Sequence, residues 1–186
     1  MGAFRKLLPN ELSRYRDHLL RLDRADRHLR FAGTVSDAVI EQHCLRLDRR
    51  NTLVIGYFDG GELRGAVEMR AENRPTPRRT ELAFSIERPW QHRGIGTALM
   101  RRALTVASNR GIRTVDIMCL LENRAMRALA RKFSNVVTIE CGEVGVTITL
   151  ELSSGLSFMV EAFEDSTGLV ASMLESLKLA VGASAH

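Results

Sequence analysis

Two glycines and an arginine stand at the predicted start of a helix, in the stretch RPWQHRGIGTALM that covers residues 88–100. Gly94 and Gly96 remove side chains where a strand turns into a helix, so a ligand can approach the backbone closely. The free N–H groups of the first helical turn bind anions with help from the helix dipole. Arg93 adds a positive charge beside them. These residues predict a phosphate or pyrophosphate site.

The elements that must position this loop are indicated by the spacing of apolar residues. Two amphipathic helices are predicted first, one from about residue 10 to the high twenties and one in VSDAVIEQHCLRL, where Ser36 or Asp37 is the cap. The predicted order of elements is helix, helix, hairpin, strand, helix, strand, helix, hairpin. A strand–helix–strand unit implies a parallel pair whereas hairpins are antiparallel, so a mixed sheet is expected.

The first hairpin is indicated by two strand-like runs, NTLVIGYF and ELRGAVEMR, around the turn sequence DGG. In the second run, Leu63, Gly65, Val67 and Met69 are expected on one face. A connector rich in proline and arginine, AENRPTPRR, leads to the strand TELAFSI. The helix after the glycine loop is predicted to end at Gly111.

Of three known phosphate-binding loops, one fits the sequence QHRGIG. A P-loop would need a lysine, which is absent between Lys6 and Lys132, and a dinucleotide fingerprint would need glycine where Leu99 stands. QHRGIG followed by TALM closely resembles the acyl-CoA pyrophosphate loop of the GNAT superfamily of N-acetyltransferases. The preceding ELAFSIERPW resembles the bulged fourth strand of that family, and IRTVDIMCLLENRAMRALARKF resembles its fifth strand and cofactor-flanking helix.

The resemblance covers roughly residues 4–152 and implies an α/β (α+β) fold. This fold has a mixed, mostly antiparallel sheet with a central splayed parallel strand pair and flanking helices. Residues 1–154 would form the acyl-CoA-binding domain, and residues 155–186 a helical extension packed on it. The resemblance implies cofactor contacts by the strand backbone, the loop amides, Thr97 and a far-side asparagine: Phe84, Ser85, Ile86, Gln91, His92, Arg93, Gly94, Ile95, Gly96, Thr97 and Asn123. A plain helix cap is the other interpretation of Asn123.

The chemistry that the resemblance implies is transfer of an acetyl group from acetyl-CoA to an amine, without a covalent enzyme intermediate. A lysine-like amine has a pKa near ~10.4, so its deprotonation at neutral pH costs about 4 kcal/mol. A general base is therefore useful. Glu81 is the candidate, since its place resembles that of the base glutamate in the histone-acetylating branch; a solvated residue at a strand edge is the other interpretation. Glu68 and Asp116 are further candidates.

The general acid is missing from its usual place. Many family members carry a tyrosine seven residues beyond the asparagine, where this chain has Ala130. Ser134 or a water molecule would then have to protonate the leaving thiolate, which is a tolerable leaving group without help. This departure favours the alternative function, an acetyl-CoA-binding regulatory or sensor module.

Other reactive side chains have simpler interpretations. His92 lies inside the phosphate loop and is read as a solvated loop residue. Cys119 follows an apolar strand and is read as a buried thiol. Trp90 is expected to pack beside the loop. The histidines show no metal-ligand spacing, so no metal is expected.

Composition limits the function classes. The chain has 186 residues, a net charge of +5 and arginines interleaved with acidic residues, which is typical of a solvated surface rather than a nucleic-acid site. No apolar run approaches the roughly 20 residues that span a bilayer, and three distant cysteines indicate reduced thiols. A cytoplasmic protein without nucleic-acid or membrane partners is expected, with a small-molecule or protein amine as acceptor and a possible homodimer.

Overall fold

A seven-stranded mixed sheet lies at the centre of the structure, a computed structural model that describes residues 2–48, 50–71, 79–134, 136–140, 142–151 and 153–183. The strands are β1 (Ala3–Lys6), β2 (Thr52–Asp59), β3 (Glu62–Ala71), β4 (Arg79–Ile86), β5 (Thr114–Leu120), β6 (Val137–Glu140) and β7 (Glu143–Thr149). The helices are α1 (Leu12–Arg21), α2 (Arg24–Phe31), α3 (Asp37–Leu45), α4 (Ile95–Asn109), α5 (Arg124–Ala130) and α6 (Gly155–Ala183).

The strand order is β1-β2-β3-β4-β5-β7-β6, and every neighbouring pair is antiparallel except β4 and β5. The predicted mixed, mostly antiparallel sheet with one parallel pair is therefore confirmed. The parallel pair arises because α4 carries the chain from the end of β4 back to the start of β5.

The parallel pair is short, and this opens the sheet. Only Arg79–Glu81 of β4 pair with Thr114–Asp116 of β5, although both strands continue for several residues. Beyond this point β4 pairs only with β3 and β5 only with β7. One edge of β4 is thus left open to a ligand from residue 82 onward.

Two hydrophobic cores lie on opposite faces of the sheet. The larger core contains the α4 stripe, including Ile95, Leu99 and Ala103, with Met126 of α5. The smaller core lies under α1–α3 and contains Tyr15 and Leu19. The predicted apolar periodicity of α4 is confirmed, as is its end, since Gly111 follows with a φ of 70°.

Several boundaries differ from the sequence-based predictions. The first predicted helix is two helices, because Leu22 is extended and the Asp23 carboxylate then caps α2 by accepting from the amide of Asp26. Strand β1 was not predicted. Most of the expected connector, residues 72–78, falls outside the described residues, and so does Cys141.

Two expectations about the strands were wrong: a bulge in β4, and a common face for Leu63 and Val67 in β3. Strand β4 pairs with β3 in continuous register, so the expected bulge in β4 is absent. The irregularity lies one strand pair earlier, where Tyr57 pairs with Gly65 but Phe58 pairs with Leu63. Because Arg64 is the extra residue there, Leu63 packs in the core beneath α1–α3 while Val67 packs beneath α4.

Helix α6 packs on β1 and α4 through polar contacts. Lys6 forms ion pairs with Glu161 and Asp165, and Arg102 pairs with Glu164. Its outward face exposes apolar side chains: Leu156, Phe158, Met159, Val160, Phe163, Val170, Met173 and Leu174. No helix in the described part of the chain is long and apolar enough to cross a membrane.

Candidate active site

The loop before α4 holds an uncapped helix start toward a cavity. Gly94 (φ 80°) and His92 (φ 58°) are both left-handed, and no side chain caps the helix. The Gln91 side-chain amide donates to the carbonyl of Ile86 over 2.9 Å, which ties the loop to the end of β4. An uncapped N-terminus leaves backbone N–H groups available for an anion.

The two loop glycines have different roles. A Cβ on Gly94 would meet nothing within 4 Å, so this glycine is required by its positive φ and leaves open space in front of the helix. A Cβ on Gly96 would come within 3.3 Å of Leu129 and 3.4 Å of Ile86, so this glycine permits close packing of α4 against α5 and β4.

A cavity of about 470 Å³ lies in front of this loop. Nine of the predicted cofactor residues line it: Phe84, Ser85, Ile86, Gln91, His92, Gly94, Gly96, Thr97 and Asn123. Arg93 is exposed and does not line the cavity, and the side chain of Ile95 is buried in the larger core. These two residues can therefore serve the cavity only through backbone groups or, for Arg93, through long-range charge.

The resemblance predicts that the helix after Asn123 flanks the cofactor, but the individual residues of the opposite wall were not identified from the sequence. Leu22, Asp26, Leu29 and Arg30 line it from α1–α2, and Ala125, Met126, Ala128, Leu129 and Lys132 line it from α5 and the turn after it. Lys132 is the informative addition, because an ammonium group near an uncapped helix N-terminus favours a polyanionic ligand. The sequence feature that could have identified Lys132 is its position just after the helix that begins at Asn123.

Asn123 is the N-cap of α5, as one of its two predicted interpretations stated. Its Oδ1 accepts from the amide of Met126 over 3.0 Å. The side chain also lines the cavity, and its Nδ2 remains as a donor. One residue can thus cap the helix through oxygen and face a ligand through nitrogen.

Trp90 packs beside the loop, in agreement with its expected role. Its indole Nε1 donates to Asp59 over 3.0 Å, and the guanidinium of Arg64 lies 4.4 Å from the ring centroid. These contacts fix the tryptophan on the β2–β3 turn and away from the cavity.

A second cavity, of about 260 Å³, lies where β4 and β5 separate. Glu81, Ala83 and Met118 line it from the strands, and Leu29 and Arg30 of α2 line both cavities. Glu81 is the last residue of β4 that pairs with β5, and its side chain is exposed. No hydrogen bond or ion pair holds its carboxylate within the described residues.

Glu68 lies in the wall of the second cavity but is fully engaged. Its side chain is 3% exposed and accepts from Tyr15 (2.8 Å), Arg30 (2.9 Å), His43 (2.9 Å) and Arg70 (2.8 Å). Burial alone would raise the pKa of Glu68, but hydrogen bonding to His43 and the charge of Arg30 lower this pKa to about 2. A carboxylate with so low a pKa is a poor proton acceptor at neutral pH.

Asp116 is also engaged. It accepts from Arg79 Nε over 2.9 Å and from the Thr147 hydroxyl over 2.9 Å. It does not line the second cavity. Of the three carboxylates considered from sequence, Glu81 is the one that reaches a cavity without such partners.

Ser85, His18 and Glu87 form a buried cluster that sequence reasoning did not find. The Ser85 hydroxyl lies 2.9 Å from His18 Nε2, and His18 Nδ1 lies 3.1 Å from Glu87 Oε1. Arg21 and Arg64 each donate to Glu87 over 2.9 Å. The cluster joins α1 to the end of β4, a contact that no local sequence pattern reveals.

The places expected for a general acid hold no acid. Ala130 is fully buried in the larger core. Ser134 donates its hydroxyl to the carbonyl of Thr147 over 2.7 Å and does not line either cavity. Cys119 is buried, and burial raises the pKa of its thiol, which agrees with an unreactive core cysteine.

Within the described ranges, no group of three or more His, Cys, Asp or Glu side chains is arranged so that it could hold a metal ion. The arrangement offers an uncapped helix start that can bind an anion, an open strand edge, and a carboxylate without a hydrogen bond or ion pair, within the described residues, at the point where two strands separate.

Comparison with known proteins agrees with this architecture. Residues 16–134 match the family model described as "Acetyltransferase (GNAT) family". No protein of curated function shows significant sequence similarity to the chain.

Three solved structures illustrate the similarity of fold. The GNAT domain of PAT from S. lividans has a TM-score of 0.68 at 20% identity, covering 79% of this chain and 89% of that one. A GNAT-family acetyltransferase from Streptococcus pneumoniae has a TM-score of 0.61 at 18% identity, covering 80% and 99%. The PaiA N-acetyltransferase from Thermoplasma acidophilum, solved in complex with coenzyme A, has a TM-score of 0.61 at 17% identity, covering 81% and 99%.

Proposed function

The chain belongs to the GNAT family of acetyltransferases, and from this premise we propose that it transfers an acetyl group from acetyl-CoA to an amine by direct attack. The acetyl-CoA would lie in the larger cavity with its pyrophosphate at the start of α4. The amine would enter through the smaller cavity. The two substrates would meet where β4 and β5 separate.

The observation that carries this proposal is the convergence of three features on one cavity. The uncapped start of α4 behind Gly94 suits a pyrophosphate, and the open edge of β4 at Phe84–Ile86 suits the amides of a pantetheine arm. Lys132 adds positive charge on the facing wall. A ligand with an anionic end and an amide-bearing arm fits this combination.

Glu81 is proposed as the general base. It lies in the smaller cavity near the end of the β4–β5 pairing, and its carboxylate makes no hydrogen bond or ion pair in the described structure, although the charge of Arg30 acts on it. A positioned carboxylate of this kind can take a proton from an incoming ammonium group, directly or through water. Glu143 lines the same cavity, together with Glu68 and the cations Arg30 and Arg70.

The proposal is tested by measuring the binding of acetyl-CoA to the whole chain by calorimetry. Gly94→Glu places a carboxylate at the proposed pyrophosphate site and should abolish binding. Gly111→Glu is the matched control, because Gly111 has a similar positive φ (70°), open space at its Cβ, and a position at the far end of α4. Both changes carry a similar backbone strain of about 1–3 kcal/mol, so only the effect at the site differs.

Turnover is measured as thiol release with a lysine-containing peptide, a polyamine, an amino acid and an aminoglycoside. Binding that Gly94→Glu removes and Gly111→Glu retains, together with amine-dependent release, is the expected result. Binding without release for any amine would favour the regulatory module instead. Equal binding by both variants would show that the loop does not hold the pyrophosphate.

A further inference from the structure

The cluster of Ser85, His18 and Glu87 has the connectivity of a nucleophile, a base and an orienting carboxylate. The hydroxyl and the near imidazole nitrogen are 2.9 Å apart, and the far nitrogen and the carboxylate oxygen are 3.1 Å apart. Both distances lie within the range found between activated nucleophiles and their bases. The direct-transfer mechanism uses none of these three side chains.

The protonation states within the cluster follow from its contacts. Burial alone would raise the pKa of Glu87, but hydrogen bonds from His18, Arg64 and Arg21 lower it, so this carboxylate only accepts. His18 Nδ1 therefore carries the proton, and Nε2 presents a lone pair to Ser85. Burial lowers the pKa of His18 despite the neighbouring carboxylate, which keeps the ring neutral.

These states prepare the cluster to activate Ser85. A neutral imidazole with its lone pair toward a hydroxyl can remove the hydroxyl proton, but it has no proton at Nε2 to give. The cluster therefore does not replace the missing tyrosine as a ready acid. It is arranged to make Ser85 a better nucleophile.

The serine also lies where a thioester would pass. Ser85 is in β4 between Phe84 and Ile86, lines the larger cavity, and belongs to the strand segment whose far edge has no strand partner in the described structure. Backbone N–H groups along such an edge can stabilise an oxyanion. Its side chain points to α1, where His18 is fully buried.

We propose that Ser85 is a second acyl acceptor, which takes the acetyl group from acetyl-CoA when no amine is bound and releases it slowly to water. This proposal rests on the proposed binding of acetyl-CoA in the larger cavity. It adds a covalent serine ester and an acceptor-independent thioester hydrolysis to the proposed amine transfer.

The bond changes balance in two steps. In the first, the Ser85 O–H bond breaks and its proton moves to His18 Nε2, while the oxygen bonds to the thioester carbon. The carbon–sulfur bond then breaks, and the departing thiolate takes the proton from His18. In the second, water attacks the serine ester, its proton passes through His18 to Ser85, and acetate leaves. The sum is hydrolysis of acetyl-CoA to acetate and free CoA.

Intact-mass spectrometry of the whole chain, incubated with acetyl-CoA and no amine, tests the proposal. A fraction of the protein should gain the mass of one acetyl group, and peptide mapping should place this group on Ser85. Ser85→Ala should remove the adduct and lower acceptor-free CoA release by roughly tenfold or more. Ser13→Ala is the matched control, because Ser13 is exposed on the same helix as His18 and should change neither readout.

A second variant separates reactivity from a structural role. Ser85→Cys places a more nucleophilic atom beside the same imidazole and should accumulate an acetyl adduct at position 85 faster than the wild type does. A serine that only ties α1 to β4 would not produce this gain.

The outcomes distinguish this proposal from the proposed function. Acetyl-CoA binding and amine-dependent turnover without any adduct, and with CoA release unchanged in Ser85→Ala, would overturn the serine proposal alone. Loss of acetyl-CoA binding by the wild type would overturn both. An adduct mapped to another residue would also overturn the assignment to Ser85.

Discussion

Three carboxylates on the strands of the sheet differ in chemistry because their neighbours differ. Glu68 is surrounded by two arginines, a histidine and a tyrosine, and Asp116 is held by Arg79 and Thr147. Glu81 has no such partners and faces the smaller cavity. A carboxylate whose oxygens already accept hydrogen bonds from neighbouring side chains is not available to an incoming amine, whereas one without such bonds can contact it and take its proton. This contrast is the reason why we propose Glu81 as the base.

Replacing Glu81 by glutamine tests the role of this carboxylate. Glu81→Gln preserves the shape of the side chain and should reduce amine-dependent turnover about tenfold or more, because the amide cannot accept the ammonium proton. The affinity for acetyl-CoA should stay nearly constant, since Glu81 does not line the larger cavity.

The measurement is steady-state thiol release with the best amine, combined with calorimetry of acetyl-CoA binding. Glu41→Gln, an exposed position on α3, is the control. Wild-type turnover in Glu81→Gln would exclude this residue as the base. The amine would then have to lose its proton to a water molecule or through its own desolvation.

At the scale of elements, α5 shows how one residue can serve a helix and a site together. Asn123 caps α5 through Oδ1 and lines the larger cavity. Asn123→Asp keeps an efficient N-cap but replaces the Nδ2 donor by a negatively charged oxygen. We expect its free energy of unfolding to remain close to that of the wild type while its affinity for acetyl-CoA falls.

Asn123→Ala completes the comparison. It removes the cap, at a cost of about 1 kcal/mol, and also the donor. Chemical denaturation and calorimetry on both variants separate the two functions. If the aspartate variant binds acetyl-CoA as tightly as the wild type, Asn123 is a helix cap only.

Elements with local signals were predictable from the sequence. The DGG turn, the glycine loop, the Ser36 cap of α3 and the Asn123 cap of α5 each depend on residues within a few positions of one another. The glycine loop and the Asn123 cap border the larger cavity, and nine of its lining residues follow from the resemblance of this loop and its neighbouring strands to the GNAT family.

Features that depend on distant partners were not predictable. Strand β1 has four residues and gains its strand character by pairing with β2, about fifty positions away. The extra residue Arg64 shifts Leu63 to the opposite face, which periodicity alone does not show. The Glu68 and Ser85 clusters each join α1 to a strand, so their residues are adjacent only in the folded chain.

At the scale of the whole molecule, α6 lies apart from both cavities. Its polar contacts are with Lys6, Asn109 and Arg102, and a Cβ on Gly168 would come within 2.4 Å of the Phe4 carbonyl oxygen. The helix therefore packs directly on the β1 backbone. We propose that residues 1–154 hold the complete acetyl-CoA site and that the helical extension supports this domain from the side of β1.

The stability of the whole molecule should depend on pH through the Glu68 cluster, which joins α1, α2 and α3 to β3. The pKa of Glu68 falls from its usual 4.5 to about 2 on folding. A lowered carboxylate pKa adds stability above about pH 4.5, and this contribution disappears as the pH falls toward about 2. Its size at neutral pH is about 3 kcal/mol.

Urea unfolding of the wild type and of Glu68→Gln between pH 7 and pH 2 measures this contribution. The variant should be less stable at pH 7, because it leaves Arg30 buried without its carboxylate partner. The difference between the two proteins should shrink as the pH falls below about 4.5, since protonation of Glu68 then weakens the wild type in the same way. Glu151→Gln, at an exposed position, should follow the wild type throughout. A difference that stays constant down to pH 2 would mean that the cluster is stabilised by packing rather than by the charge of Glu68.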